Sequence, residues 1–304
     1  MSPSDVTDNV LAALAGNQGV VNVVVLRTAS RNPAGDVLEF DVITAEANAA
    51  LATLRSFQLD QRGSVAMQPG DIYLSAKAAA LEGREPPAAN VAPIWEEAEA
   101  RIRSLGAYPP SWHVLLVIAG LIAAVGILTN SQILIVAAMV VGPEYGAIIN
   151  VSLGWNEHDP SRRRAATRAL VIGFALAIAA SVVFGLVIRA FDLQPRAFEA
   201  GVRPVSSLIN TPNVYSVVVA CLAGVVGVVS LTEARANTLI GVFVSVTTIP
   251  AAADIGVSAA FGSWSEARGS LIQLLLNVSI LVVIGAIGLT AQRRIWRRLS
   301  RPAT

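Results

Sequence analysis

Long apolar segments in the last two thirds of the chain constrain its fold more than any other feature. A run of about 20 apolar residues forms one helix that can cross the hydrocarbon core of a bilayer. Six such segments can be read from Trp112 onward, at residues 112–128, 131–153, 169–190, 214–231, 238–261 and 271–290. The composition agrees, because 54% of the residues are apolar, 14% are charged and the mean hydropathy is +0.60. The sequence therefore predicts a polytopic α-helical membrane protein with six transmembrane helices.

Clusters of arginine predict the orientation of these spans. Loops with an excess of Lys and Arg stay in the cytoplasm. One cluster lies between the second and third spans and another follows the sixth: Arg162, Arg163, Arg164, Arg168, and Arg293, Arg294, Arg297, Arg298, Arg301. With six spans and both clusters inside, the N and C termini are cytoplasmic, and we expect a multi-pass protein of the cell (inner) membrane. The opposite orientation would place these nine arginines outside.

The segment before the first span has a mixed composition and predicts a small α+β domain. β-Branched or alternating residues indicate strands at 20–26, 36–44, 63–67 and 71–75, and a helix at 44–57 capped by Thr44. A helix on such a sheet is typical of a ferredoxin-like or similar fold. We expect a cytoplasmic α+β domain at 1–81, a proline-rich linker and juxtamembrane helix at 82–111, and a transmembrane domain with a basic C-terminal tail at 112–304.

Two of the predicted spans are interrupted. The second contains Gly142-Pro143-Glu144, and the fifth contains Ile249-Pro250 followed by Asp254. A proline breaks the hydrogen-bond ladder of a helix, and the freed backbone groups must be satisfied by protein or by a water-filled cavity. A carboxylate at that depth is by default a candidate functional group. Both breaks are therefore expected to face the interior of the helix bundle.

The two interrupted spans also correspond in sequence. Asn130 and Pro143 are 13 residues apart, as are Asn237 and Pro250, which gives a common offset of 107. Each interrupted span is the middle one of three, and repeating three spans inverts the second copy. A 3+3 inverted repeat with two broken helices is typical of secondary transporters. The ligand-binding candidates are Asn130, Pro143, Glu144, Asn237, Pro250 and Asp254.

Each of these residues also has a purely structural interpretation. A proline can kink a transmembrane helix without any further role, and Glu144 or Asp254 can cap a half-helix or lie near the membrane interface. The two asparagines can be helix caps. Small residues at four-residue spacing predict close helix packing rather than ligand contact. These are Ala177, Ser181 and Gly185.

Several short motifs resemble those of a known family. Asn130-Ser131, Ala138-Met139 and Gly142-Pro143, followed by Gly241-Val242 and Ile249-Pro250, are similar to the uncharacterised hydrophobic domain family, integral membrane proteins of bacteria and archaea with a domain of unknown function. Relatives commonly have an additional proline before Gly142 and a double proline at Ile249-Pro250, which this chain lacks. The resemblance implies the membrane architecture and supplies no substrate.

The expected function follows from the paired breaks. We expect a transporter or channel-like permease for an unidentified small solute, with a cytoplasmic regulatory domain. The alternative is a non-transporting membrane receptor or scaffold whose soluble domain binds a nucleotide or another small metabolite. Small-residue helix faces favour a homo-oligomer in the lipid bilayer.

Other function classes lack support in the sequence. Recognisable catalytic and phosphate-binding motifs are absent, so the sequence predicts no enzyme and no cofactor. Cys221 is the single cysteine, and the sequence predicts no metal site. Lys77 is the single lysine and the net charge is +1, which argues against a nucleic acid polymer as partner.

Overall fold

A computed structural model describes residues 1–68, 75–84, 94–232 and 248–299. The chain divides into two compact units, Met1–Trp95 with Arg294–Thr304, and Glu96–Arg293. The described residues of the first unit form two strands and several short helices, in the order α1 (Thr7–Ala15), β1 (Val20–Arg31), β2 (Ala34–Val42), α2 (Thr44–Ser56), α3 (Leu59–Arg62) and α4 (Ala76–Glu82). The first two predicted strands and the predicted helix at 44–57 are confirmed.

The core of the first unit lies between its sheet and its helices. Strands β1 and β2 pair antiparallel, with Val25 opposite Leu38, and form a two-stranded sheet. Helix α1 was not anticipated from the sequence, yet its Val10 and Leu14 are fully buried with Leu54. These apolar contacts hold α1 to α2, because each short helix alone would be marginal in water.

Three local predictions for this unit need correction or lie outside the described residues. Residues 63–67 are not a strand, because the Ser64 backbone pairs with Met1 instead of with a strand. Thr44 is the first helical residue of α2, and the N-cap is Ile43, which offers no side-chain cap. Most of the predicted strand at 71–75 lies outside the described residues. The described sheet therefore has two strands rather than the four of a ferredoxin-like fold.

The second unit consists of helices. Its longer elements are α5 (Trp95–Ser104), α6 (Pro110–Leu128), α7 (Gln132–Val141), α8 (Glu144–Asn156), α9 (Pro160–Ala190), α12 (Val214–Thr232), α13 (Ile249–Ala260) and α14 (Trp264–Leu299). Two short helices lie between α9 and α12, namely α10 (Arg196–Glu199) and α11 (Pro204–Asn210). Phe198 of α10 is buried against Phe261, with ring centroids 5.0 Å apart, so this connection is part of the packed core.

Among the residues that the structure describes, four helices are long and apolar enough to cross a membrane: α6, α9, α12 and α14. The pair α7 and α8, bent by 54°, adds a fifth if it counts as one span. Apolar side chains remain exposed on the outer faces of these helices, such as Val171 (63%), Leu222 (61%) and Ile287 (59%). A soluble protein would cover such surfaces, so the chain is a membrane protein. Residues 233–247, which include the first part of the predicted fifth span at 238–261, lie outside the described residues.

Small residues bring the helices of the second unit close together, as predicted. Gly120 of α6 lies against Ala177, and Gly256 of α13 lies against Ser181, where a Cβ atom would come 2.5 Å from the serine Cβ. Gly185 contacts the end of α13 in the same way. The predicted packing role of the small residues on α9 is therefore confirmed, and α9 contacts both α6 and α13.

Candidate functional site

The first predicted break is present. Helix α7 ends at Val141, α8 begins at Glu144, and the two axes differ by 54°. Pro143 has no backbone N–H to continue the ladder, and Gly142 adopts an extended conformation. The Pro143 carbonyl oxygen accepts a hydrogen bond from Nε1 of Trp112 at 3.3 Å. A side chain of α6 therefore satisfies a backbone group that the break releases.

The second proline occupies a different place. Helix α13 begins at Ile249, so Pro250 lies in its first turn, where a missing N–H costs little. Pro143, by contrast, is the N-cap of α8. The predicted offset of 107 between the two prolines therefore does not align the starts of the two helices.

The break at Pro143 and the start of α13 meet in space. Glu144 is fully buried, and its Oε1 accepts a hydrogen bond from Oγ1 of Thr248, which is also fully buried, at 2.8 Å. Gly142 lies directly against Ile249, where any side chain on Gly142 would overlap the isoleucine. The start of α8 and the start of α13 therefore form one junction. We refer to Gly142–Glu144 with Thr248–Pro250 as the break junction.

Asp254 lies on α13, six residues after Thr248, and is fully buried. Its Oδ2 accepts a hydrogen bond from Oγ of Ser270 on α14 at 2.6 Å. Its Oδ1 is also buried, and within the described ranges no group donates a hydrogen bond to it. The Ser206 hydroxyl of α11 faces the carboxylate without hydrogen-bond geometry.

Polar side chains continue along the face of α14 that carries Ser270. Gln273 and Asn277 are buried, and Nε2 of Gln273 donates to Oδ1 of Asn277 at 3.0 Å. Residues three and seven positions after Ser270 lie on the same side of a helix. Because α13 and α14 are joined by a short turn, later residues of α14 lie beside earlier residues of α13. This polar face therefore extends from Asp254 toward Thr248, at the start of α13.

An ion pair lies at the end of this polar region that is nearest to the start of α14. Arg203 precedes α11, and its Nη1 lies 3.0 Å from Oε2 of Glu266 on α14 and 2.9 Å from Oγ of Ser263. Its guanidinium also stacks over the ring of Phe198, 4.0 Å from the centroid. The arginine is therefore held in place by charge, hydrogen bonding and aromatic stacking together.

Not all predicted site residues converge. Glu144, Pro143 and Pro250 belong to the break junction, and Asp254 lies farther along α13. Asn130 lies at the opposite end of α7, where its Nδ2 donates to the Val202 carbonyl at 3.0 Å. It is not the helix cap either, because Ser131 caps α7 by accepting from the Leu134 N–H. Asn237 lies outside the described residues.

Sequence reasoning missed the partners of the two carboxylates. Thr248, Ser206, Ser270, Gln273 and Asn277 were not among the candidates. Three of them follow a visible signal, since polar residues at positions 270, 273 and 277 form one stripe in an otherwise apolar span. Thr248 and Ser206 offer no such pattern, because their roles depend on the meeting of segments that are distant in sequence.

The break junction lies inside a segment that matches a known family. Residues 139–283 match the model described as a domain of unknown function (DUF389). This segment, just under half of the chain, is therefore similar to DUF389. The predicted resemblance to a family of uncharacterised membrane proteins is thereby confirmed. The DUF389 segment contains Pro143, Pro250 and both buried carboxylates, so the break junction and Asp254 lie wholly inside it.

One relative extends the likeness beyond the DUF389 segment. The chain is 23% identical over 190 residues to Uncharacterized protein MJ0678 of Methanocaldococcus jannaschii, which is 61% of this chain and 56% of the archaeal protein. The chain thus spans little more than half of that relative. No solved structure matches the chain.

Proposed function

We propose that the protein is a membrane transporter or channel-like permease for a small solute, with its site at the break junction. The observation that carries this proposal is the fully buried hydrogen bond between Glu144 and Thr248, which links two helix starts inside a membrane domain. A buried carboxylate is costly, and so is irregular backbone in a bilayer. Their coincidence is the arrangement in which transporters bind solutes and coupling ions.

Helix boundaries support an inverted repeat as part of this proposal. Helices α6 and α12 begin at 110 and 214 and end at 128 and 232, so both boundaries differ by 104. The ends of α8 and α13 differ by the same amount (260 − 156), as do the starts of α9 and α14 (264 − 160). These shared differences of 104 support a repeat of helix order and spacing in the described residues.

Contacts between the halves support the same relation. Gly285 of α14 lies against Ser152 of α8, and Ser181 of α9 lies against Gly256 of α13. Adding 104 to 152 gives 256, and adding 104 to 181 gives 285. Each residue of one contact therefore corresponds to a residue of the other contact in the opposite half. This is the pattern expected for two halves related by a two-fold axis. Since 144 plus 104 is 248, the hydrogen bond of the break junction would lie on such an axis.

The repeat suggests how the break junction could open. Each short helix packs on the long helix of the other half, α8 on α14 and α13 on α9. Rocking of one half against the other would separate the junction on one side of the membrane and close it on the other. Six spans follow if α7 with α8 is one crossing and residues 233–260 supply another. The arginine clusters then place both termini in the cytoplasm.

Uptake by purified protein in liposomes tests the proposal. Proteoliposomes would be challenged in turn with labelled amino acids, monocarboxylates, polyols and inorganic ions, with and without a pH gradient. We expect saturable uptake of at least one class. In Glu144→Gln uptake should fall toward that of empty liposomes, whereas Ala179→Leu, on the exposed face of α9, should retain it.

Two results would contradict the proposal. Absence of uptake for every class would favour the receptor or scaffold function, with the first unit binding a metabolite. Uptake that is unchanged in Glu144→Gln would remove the break junction from the transport mechanism. In our proposal the first unit is a cytoplasmic regulatory domain. A ligand of this unit would change the rate of uptake, whereas in the receptor function ligand binding would occur without uptake.

A further inference from the structure

We infer that Asp254 binds a small monovalent cation, Na⁺ or a proton, in a site that only the second half of the repeat contains. The inference rests on the proposed function in that such an ion would couple to solute movement. It depends on a comparison of Asp254 with Asn150, the residue at the equivalent position of the first half (254 − 150 = 104).

Asn150 has a complete set of hydrogen bonds. It is fully buried on α8, and its Nδ2 donates to the carbonyl oxygens of Ile102 at 2.7 Å and Gly146 at 2.8 Å. Its Oδ1 accepts from Nη1 of Arg162 at 3.2 Å. The amide thus supplies two donors to carbonyl acceptors, and the site needs no further ligand.

Asp254 has the same position and burial but the opposite hydrogen-bonding capacity. An ionised carboxylate accepts hydrogen bonds and donates none. In the first half, Asn150 contacts Ile102. The corresponding neighbour of Asp254 in the second half is Ser206, 104 residues after Ile102. The Oδ1 of Asp254 accepts no hydrogen bond from any residue the structure describes. A bound cation or proton would supply the positive partner that the amide N–H groups supply in the first half.

Oxygen ligands for such a cation are grouped around Asp254. Besides its Oδ1, they are the hydroxyl oxygens of Ser206 and Ser270. Gln273, farther along α14, offers a further side-chain oxygen. The Gln273 Oε1 is buried and likewise accepts no hydrogen bond among the described residues. Gln273 is one turn beyond Ser270, on the face that contacts Asp254. Carboxylate, amide and hydroxyl oxygens are the ligands that hard cations prefer.

The charged residues around Asp254 favour a bound ion with a single positive charge. Glu266 and Arg203 are the charged residues nearest to Asp254, and they pair with each other at 3.0 Å. Arg189 of α9 binds the Ala260 carbonyl at the end of α13, and Glu144 is engaged at its start. The sequences of α7, α11 and residues 169–188 of α9 contain no ionisable side chain, and α6 has only a histidine near its start. The net charge around Asp254 is therefore −1, which a monovalent cation neutralises.

Thermal unfolding of the full-length protein in detergent, followed by tryptophan fluorescence, tests the inference without any transported solute. NaCl would be titrated against choline chloride at constant ionic strength and pH 8, and pH would be lowered in choline alone. We expect Na⁺ or acid to raise the unfolding temperature by several degrees in a saturable manner. A sodium response identifies Na⁺ as the ligand, and an acid response alone identifies the proton.

Asp254→Asn should remove whichever response is found, because its amide supplies the missing donors as Asn150 does. Asp192→Asn, an exposed carboxylate in the connection after α9, should retain it. Should Asp254→Asn fail to fold, Gln273→Met keeps the carboxylate and should raise the cation concentration for half-maximal effect about tenfold. Insensitivity of the wild type to both ions would overturn the inference, as would an unchanged response in both variants. Ion binding without solute uptake would leave the site intact and remove the transport proposal.

Discussion

Glu144 and Thr248 depend on each other at the centre of the membrane domain. Thr248 donates to the buried glutamate at 2.8 Å, and both side chains are excluded from solvent. Burial of a carboxylate is tolerated only when hydrogen bonds replace its lost hydration. The sequence identified Glu144, because a carboxylate in an apolar span is conspicuous. It gave no sign of Thr248, because a threonine at a helix start is common and its contact is 104 residues distant.

Replacing Thr248 by valine should measure what this hydrogen bond contributes. The shapes are similar, so Thr248→Val removes the donor and little else. We expect a loss of about 1–3 kcal/mol in the free energy of unfolding of the detergent-solubilised protein. The control is Thr129→Val, an exposed threonine that bonds only within its own helix. Equal stability of the two variants would show that the hydrogen bond is dispensable.

In the first unit, Asp36 predicts a dependence of stability on acid. Its side chain is 1% exposed, and the Thr28 N–H donates to Oδ1 at 2.8 Å. This hydrogen bond, with those of nearby side chains including Arg27, holds the pKa of Asp36 below its usual value of 3.8. Because the folded-state pKa is the lower one, Asp36 stabilises the unit above pH 3.8, and this stabilisation is lost as pH falls further.

Asp36→Asn should therefore lower the thermal stability of the first unit at pH 7 and make its unfolding less dependent on pH between 5 and 3. Circular dichroism of the full-length protein over this range would measure both effects. Asp60→Asn, at an exposed position, serves as the control. An unchanged acid profile in Asp36→Asn would contradict the assigned role.

Among the elements, the short helices α8 and α13 are held by glycine contacts that have no room for a side chain. A Cβ atom on Gly256 would lie 2.5 Å from that of Ser181, and one on Gly285 would lie 2.6 Å from Oγ of Ser152. Gly256→Ala and Gly285→Ala should each destabilise the protein by about 1–3 kcal/mol. Ala179→Leu adds more bulk at the exposed face of α9 and should have little effect. Thermal unfolding measures all three, and tolerance of either alanine would refute the packing relation.

How well each element could be predicted depended on how local its determinants are. The break at Pro143 was predictable, because proline and glycine act on the adjoining backbone. The helix at residues 7–15 was not, since only Val10 and Leu14 mark its buried face. Residues 63–67 have strand-like composition, yet a strand also needs a partner, and Met1 occupies that place. Pairing between distant segments decides such cases.

For the whole molecule, the membrane architecture followed from hydropathy, whereas the relation between the halves did not. Few residues are identical between the halves, so the sequence suggested an offset of 107 from two asparagines and two prolines. The helix boundaries give 104 instead. In the proposed repeat, helix length and spacing would be preserved better than side-chain identity, because packing constrains them more tightly than it constrains which apolar residue is used.

The proposed orientation predicts which loops face the cytoplasm. Single cysteines would be placed at Ser161, beside the first arginine cluster, and at Ser207, in the connection after α9, in a Cys221→Ala background. Both serines are exposed. In intact cells a membrane-impermeant maleimide should label Ser207→Cys, and Ser161→Cys only after permeabilisation. The reverse pattern would invert the topology.

The central claim is that the break junction opens to water during function, and the reactivity of a cysteine at position 248 tests it most directly. Thr248 and Ala119 are both fully buried, the latter within α6. In membranes containing the Cys221→Ala protein, a small water-soluble methanethiosulfonate should modify Thr248→Cys within minutes and leave Ala119→Cys unmodified. If Thr248→Cys is as unreactive as Ala119→Cys, the junction is permanently closed packing and the transport proposal is wrong.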